Sequence, residues 1–197
     1  MVMPQGVASD TALVSEFLAP EDTDTELMIS YERGGVALND ASLGRDYQLW
    51  KCYVEDSTVK VSPVSGSPVT VIATAPGITA VSLAFDTNIQ PAVAYMTEGV
   101  TKFYWFNSLT AQFQTDTYVG VTSFKLHMDD KRTYNNAFSD VIFAYIRDGM
   151  LYVRQQKDRY TVEYPIGPAL GRIRRLGLNR VWRLQFEIDP EVGYGIA

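Results

Sequence analysis

The chain has 197 residues, 46% hydrophobic, 12% aromatic and 20% charged, with a formal net charge of −6. These values describe one ordinary globular core or two small ones, with no low-complexity tract and no apolar run of the roughly 18 residues a membrane span needs. Cys52 is the only cysteine, which excludes an intramolecular disulfide and points to folding in a reducing cytoplasm.

In chain order, "MVMPQGVASD" carries neither a basic stretch nor an apolar one, so no signal peptide is expected. "SDTALVSEFL" is the one helix candidate, with Ser9 or Asp10 as N-cap and Leu13 and Phe17 one turn apart. "EDTDTE" (Glu21, Asp22, Asp24, Glu26) is a loose calcium-loop pattern. Leu27 stands where such a loop needs glycine, so a solvated turn is the simpler reading.

From there the signal is alternation. Val81, Leu83 and Phe85 share one face of "VSLAF", and Phe124, Leu126 and Met128 share one face of "SFKLHM". Tyr160, Val162 and Tyr164 do the same in "YTVEY", as do Trp182, Leu184, Phe186 and Ile188 in "WRLQFEI". Period two with aromatic and β-branched residues predicts half-buried antiparallel strands. "FYWF" (Phe103–Phe106) is apolar on both faces and predicts a strand covered on both sides.

A weak repeat aligns "ELMISYERGG", "PAVAYMTEGV" and "DVIFAYIRDGM" on Tyr31, Tyr95 and Tyr145, each four residues before Gly35, Gly99 or Gly149. The glycine supplies the positive φ of a tight hairpin. Acidic turns precede the repeats at Glu21–Asp24, Asp86–Asn88 and Asp129–Arg132. Segments rich in Pro, Gly and Ser ("SPVSGSP", "APG", "PIGPALG") separate the units. The expectation is a single all-β domain of antiparallel sheets with little helix. It is built from about three blade-like repeats over residues 20–61, 69–118 and 120–166, with a C-terminal strand segment at 171–188. Both a partial β-propeller and a β-sandwich-like arrangement satisfy this pattern.

The motifs of several chemistries are missing from the sequence. There is no G-x-S-x-G, no P-loop, no G-x-G-x-x-G and no sialidase-type S-x-D-x-G-x-T-W box. His127, the only histidine, falls on the polar face of its strand and reads as structural, and one His with one Cys cannot build a metal site between them. Neither an enzyme nor a cofactor is expected. Paired carboxylates such as Asp129 and Asp130 would carry a polysaccharide-hydrolase alternative, and Trp50 or Trp105 a glycan-binding one.

Charge is uneven. Residues 1–130 hold 6 Lys/Arg against 16 Asp/Glu, and residues 131–197 hold 11 against 7. The basic candidates are Arg154, Lys157 and Arg159, then Arg172, Arg174, Arg175, Arg180 and Arg183. Guanidinium forks suit contacts with another subunit's carboxylates, and arginines that share a strand face can track phosphates. Arg stems lying on a sheet with wet heads is the structural alternative.

Three passages, "ITAVSLAFDTNIQPAVAYMTEGVTKFYWF", "SDVIFAYIRDGMLYVRQQKDRYTVEYPIG" and "RIRRLGLNRVWRLQFEI", resemble small virion structural proteins of tailed double-stranded DNA phages, over roughly residues 20–188. That resemblance implies a tail or connector-region component: a ring, nozzle, collar or fibre-attachment subunit assembled in the host cytoplasm. Its implied partners are copies of itself and other tail or connector proteins, with possible non-specific contact to packaged DNA and no membrane span. A receptor- or glycan-binding module at the tail tip is the alternative.

Overall fold

The computed structural model describes residues 28–34, 48–86, 90–128, 141–178 and 183–189. It is all-β and antiparallel: fourteen strands in four sheets, with one short 3-10 turn at Gln156–Asp158 among the described residues. The first sheet (sheet A) runs β1 (Ile29–Gly34), β2 (Gln48–Glu55), β3 (Thr58–Pro63) and β4 (Thr70–Thr74) in simple meander order. Sheet B repeats this with β5 (Ile78–Phe85), β6 (Pro91–Thr97), β7 (Val100–Asn107) and β8 (Gln112–Val119). Sheet C follows with β9 (Val121–Met128), β10 (Val141–Arg147), β11 (Met150–Gln155) and β12 (Tyr164–Pro168). Among the described residues sheet D consists of β13 (Arg172–Leu178) and β14 (Leu184–Asp189).

The sheets follow one another like blades. The first strands β1, β5, β9 and β13 stand side by side in that order, and β13 makes no comparable contact with β1. Three apolar layers fill the gaps. Cys52, Val59, Val61, Leu83 and Val93 pack between sheets A and B; Phe103, Trp105, Phe124, Phe143 and Tyr145 between B and C; Ile142, Ala144, Val153 and Ile173 between C and D. β5 and β10 are therefore buried on both faces, which half-buried alternation did not anticipate for "VSLAF". Each of those strands has a sheet on either side.

One polar device recurs between the layers. Ser30 Oγ accepts from the Leu83 amide at 3.0 Å, Ser82 Oγ from the Leu126 amide at 2.9 Å, and Ser123 Oγ from the Ile173 amide at 2.9 Å. β5, β9 and β13 are edge strands, each paired on one side only among the described residues, so an amide on the open side has no ladder partner. A buried amide left bare costs about 1–3 kcal/mol, so each serine fixes the register of one sheet on the next.

Two of the connections recur from sheet to sheet. Second and third strands are joined by two-residue turns, Asp56–Ser57, Glu98–Gly99 and Asp148–Gly149, with φ of 50° and 57°, 49° and 74°, and 52° and 72°. Positive φ at both positions is the turn that matches strand twist, which is why glycine follows the acid in two of the three. First and second strands are separated by 13, 5, 12 and 5 residues in sheets A to D.

This corrects the repeat. Tyr95 and Tyr145 are equivalent, on the second strands of B and C, but Tyr31 is on the first strand of A. The true counterpart is Tyr53, three residues before Asp56–Ser57, where serine replaces the expected glycine. The unit boundaries shift with it. "SPVSGSP" joins β3 to β4 inside sheet A, which extends to Thr74, and only "APG" separates A from B. The helix candidate, the acidic "EDTDTE", Asp129, Asp130, Arg180 and Trp182 lie outside the described residues.

Candidate functional site

The sequence concentrated its basic residues after residue 130, and the structure divides them between two environments. On β11, Arg154 reaches across to Tyr145 of β10, the residue next to its own cross-strand partner Phe143 on that face. Its Nε donates to the Tyr145 hydroxyl at 2.9 Å, one terminal nitrogen to the Tyr160 carbonyl at 2.6 Å, and the other to Glu163 Oε2 at 2.7 Å. The Tyr145 hydroxyl itself donates to Glu163 Oε2. Arg147 completes the group by donating to Glu163 Oε1 at 2.7 Å.

The walls are aromatic. Arg154 lies 5.2 Å from the centre of the Tyr118 ring and Arg147 lies 5.2 Å from that of Tyr152, both within cation–π range. Tyr118 belongs to β8, so the cluster sits where sheets B and C meet. Burial pushes the Tyr145 hydroxyl up to about 12, aided by its bond to Glu163, and burial raises Tyr118 as well. Burial opposes the charge on Glu163, yet the Tyr145 hydroxyl and the guanidiniums of Arg154 and Arg147 hold that carboxyl below its ordinary range.

What the cluster does is mechanical. Arg159 and Tyr160 both adopt positive φ, 51° and 56°. That conformation is costly for side chains of this kind. The Arg154 bond to the Tyr160 carbonyl holds it, and the buried Tyr160 ring offsets it by packing edge-on against Phe103 at 4.6 Å and Trp105 at 4.9 Å. Arg154 and Glu163 thus clamp β10, β11 and the approach to β12 over the B–C core. Both carboxylate oxygens are engaged, so the group cross-links neighbouring strands.

The remaining basic candidates are distributed as follows. Lys157, in the 3-10 turn, and Arg159 are exposed. On β13, Arg172 pairs with Asp189 at 3.3 Å, Arg174 with Asp189 at 3.8 Å and Glu187 at 4.0 Å, and Arg175 with Glu187 at 3.5 Å. Arg183 is exposed immediately before β14. Arg154, Arg172, Arg174 and Arg175 therefore have partners within the chain. The register slip between Ile173 and Arg175 brings both Arg174 and Arg175 toward the carboxylates of β14.

The glycan-platform candidates are not exposed. Trp105 is 2% exposed and donates to Asp116 at 2.7 Å, and Trp50 is half-buried against Phe85. "FYWF" is covered unequally: Phe103 and Trp105 are buried, while Tyr104 and Phe106 are half-buried beside Phe113 on the other face. "YTVEY" is not a strand until Tyr164. Glu163 and Tyr118 carry no site signal in the sequence, and Tyr160 shows there only as a strand-face residue. What marks the acid between Val162 and Tyr164 is its place across from two arginines on neighbouring strands. His127 is half-buried on β9 opposite Ile142.

Among the described residues no three His, Cys, Asp or Glu side chains converge as a metal site, and no helix is long and apolar enough to cross a membrane. Comparison with protein-family models, with characterised proteins and with solved structures returns no match for this chain.

Proposed function

We propose that this chain is a non-enzymatic structural subunit of a tailed-phage virion, a tail component that acts by assembling with copies of itself and with neighbouring tail or connector proteins. The observation that carries the reading is the open row of sheets. Among the described residues β4, β8, β12 and β14 each pair on one side only, and the last sheet has two strands. Unpaired edges are a liability for an isolated monomer and a ready contact for a subunit. The resemblance of the three ordered passages to virion proteins points the same way. The ion pairs support a passive role, since the strongest polar cluster braces the fold. No observation favours the glycan-binding alternative, whose two platform candidates are buried or half-buried.

The test is presence in the particle. Purified virions should contain the chain at a fixed copy number, and virions lacking it should be incomplete at the tail or connector. Complete, infectious particles without the chain would end the proposal. The native mass of the purified protein, at low and high salt, shows whether self-assembly needs the charged sheets.

A further inference from the structure

Between β11 and β12 the chain leaves sheet C and returns to it along Gln156–Glu163. Both ends of this stretch are posted. Gln156 Nε2 donates to Asp86 Oδ2 at 3.2 Å and its Oε1 accepts from the Val141 amide at 3.1 Å. Glu163 is held by Arg147 and Arg154, each at 2.7 Å. The backbone bonds between the posts close local turns, from the Arg159 amide to the Gln156 carbonyl and from the Thr161 amide to that of Asp158. Lys157, Arg159, Thr161 and Val162 are exposed, and the Asp158 carboxylate accepts from the exposed Tyr164 hydroxyl at 2.7 Å. The buried anchor is Tyr160, 2% exposed, with its ring against Phe103 and Trp105 of β7. The chain reaches that position through positive φ at both Arg159 and Tyr160, so burial of the ring and strain of the backbone act in opposite directions.

The walls around that ring are fixed by partners other than Tyr160. Phe103 stacks on Phe143 with centroids 4.7 Å apart, Trp105 donates to Asp116, and Arg154 is tied to the Tyr145 hydroxyl and to Glu163. We propose that the edge of the B–C layer is a preformed socket for one aromatic ring, which Tyr160 fills from within the chain. Lys157–Val162 swings out between its two posts to vacate the socket while the sheets stay folded. Local opening draws on short segments held at points rather than along a ladder, and strained residues gather in segments that switch. Departure of Tyr160 uncovers the Phe103 and Trp105 rings and frees the Arg154 nitrogen that meets the Tyr160 carbonyl. The ligand class is therefore a single aromatic ring beside a hydrogen-bond acceptor, the pair that Tyr160 itself supplies. This device belongs to the chain alone and holds whether or not the chain enters a virion.

Cleavage after Lys157 by a lysine-specific protease reads the opening in the unmodified, folded chain. Its rate should stay nearly constant through low urea, because opening this segment exposes little surface. A rate that climbs with urea as steeply as global unfolding would mean that the segment opens only with the sheets, which overturns the opening. Arg159→Gly relieves a φ of 51° and should slow the cleavage about two- to fivefold, after correction for the rate in the unfolded variant. Arg159→Ala removes the charge and keeps the strain, so it should leave the rate unchanged; equal slowing by both variants would assign the effect to charge and overturn the role of strain. Tyr160→Ala empties the socket. Adding p-cresol, the ring that was lost, should raise the melting temperature of this variant with concentration and slow its cleavage again, while leaving the unmodified chain nearly unaffected. A variant that gains nothing from p-cresol, or that cannot fold even in its presence, shows that the walls need the tethered ring and overturns the socket.

Discussion

Sheets C and D both answer arginine with carboxylate, and the two arrangements differ in what surrounds them. In C, Arg154 and Glu163 have side chains 16% and 20% exposed and share a tyrosine hydroxyl and a backbone carbonyl. In D, Arg174 and Glu187 are each 47% exposed and 4.0 Å apart. Water competes for every bond in D and for little in C. The same pairing of residue types is therefore a brace in one sheet and nearly neutral in the other.

Breaking the brace should have the largest effect. Arg154→Ala leaves Glu163, Tyr145 and the Tyr160 carbonyl short of a donor or partner, and should cost about 2–4 kcal/mol in chemical denaturation. A loss under about 0.5 kcal/mol would show that the cluster is wet and equivalent to the pairs in D. Ser82→Ala ranks next, at about 1–3 kcal/mol, because it strips the buried Leu126 amide while touching no ion pair. It measures what holds sheets together independently of charge. A neutral result would mean that water replaces the hydroxyl.

Acid sharpens the contrast. The folded carboxyl of Glu163 is held below its unfolded value, so its contribution is fully present above the unfolded value and drains as pH falls through the lowered folded one. Denaturation midpoints followed downward from pH 5 should decline less steeply in Glu163→Gln than in the unmodified chain. Equal slopes would assign the acid loss elsewhere. The smallest effect belongs to D. Arg174→Ala should change stability by no more than about 0.5 kcal/mol, and high salt should erase even that.

Much of the fold is legible in the sequence. Leu184, Phe186 and Ile188 pack on the core side of their strand, and Phe124 and Leu126 on theirs, as alternation required. The acid–glycine pairs at Glu98–Gly99 and Asp148–Gly149 are the hairpins that their composition announced. The first repeat was misplaced because Tyr31 imitates the motif on the wrong strand, and Ser57 conceals the true turn by doing without glycine. The strand read into "YTVEY" failed because Arg159 and Tyr160 turn through positive φ, a conformation nothing in their side chains favours. It is held by Arg154 from a neighbouring strand and by a ring pocket from another sheet.

The division follows from range. Side-chain alternation and two-residue turns are properties of a few consecutive residues, so the sequence alone determined that this is an all-β chain of meandering antiparallel strands. Which serine meets which amide, and whether an arginine spends its charge inside the protein or at its surface, depends on residues 44 to 53 positions away or on whether water is excluded. Only the packing of sheet on sheet decided those, because both partner and dielectric are supplied by neighbours that local pattern does not name.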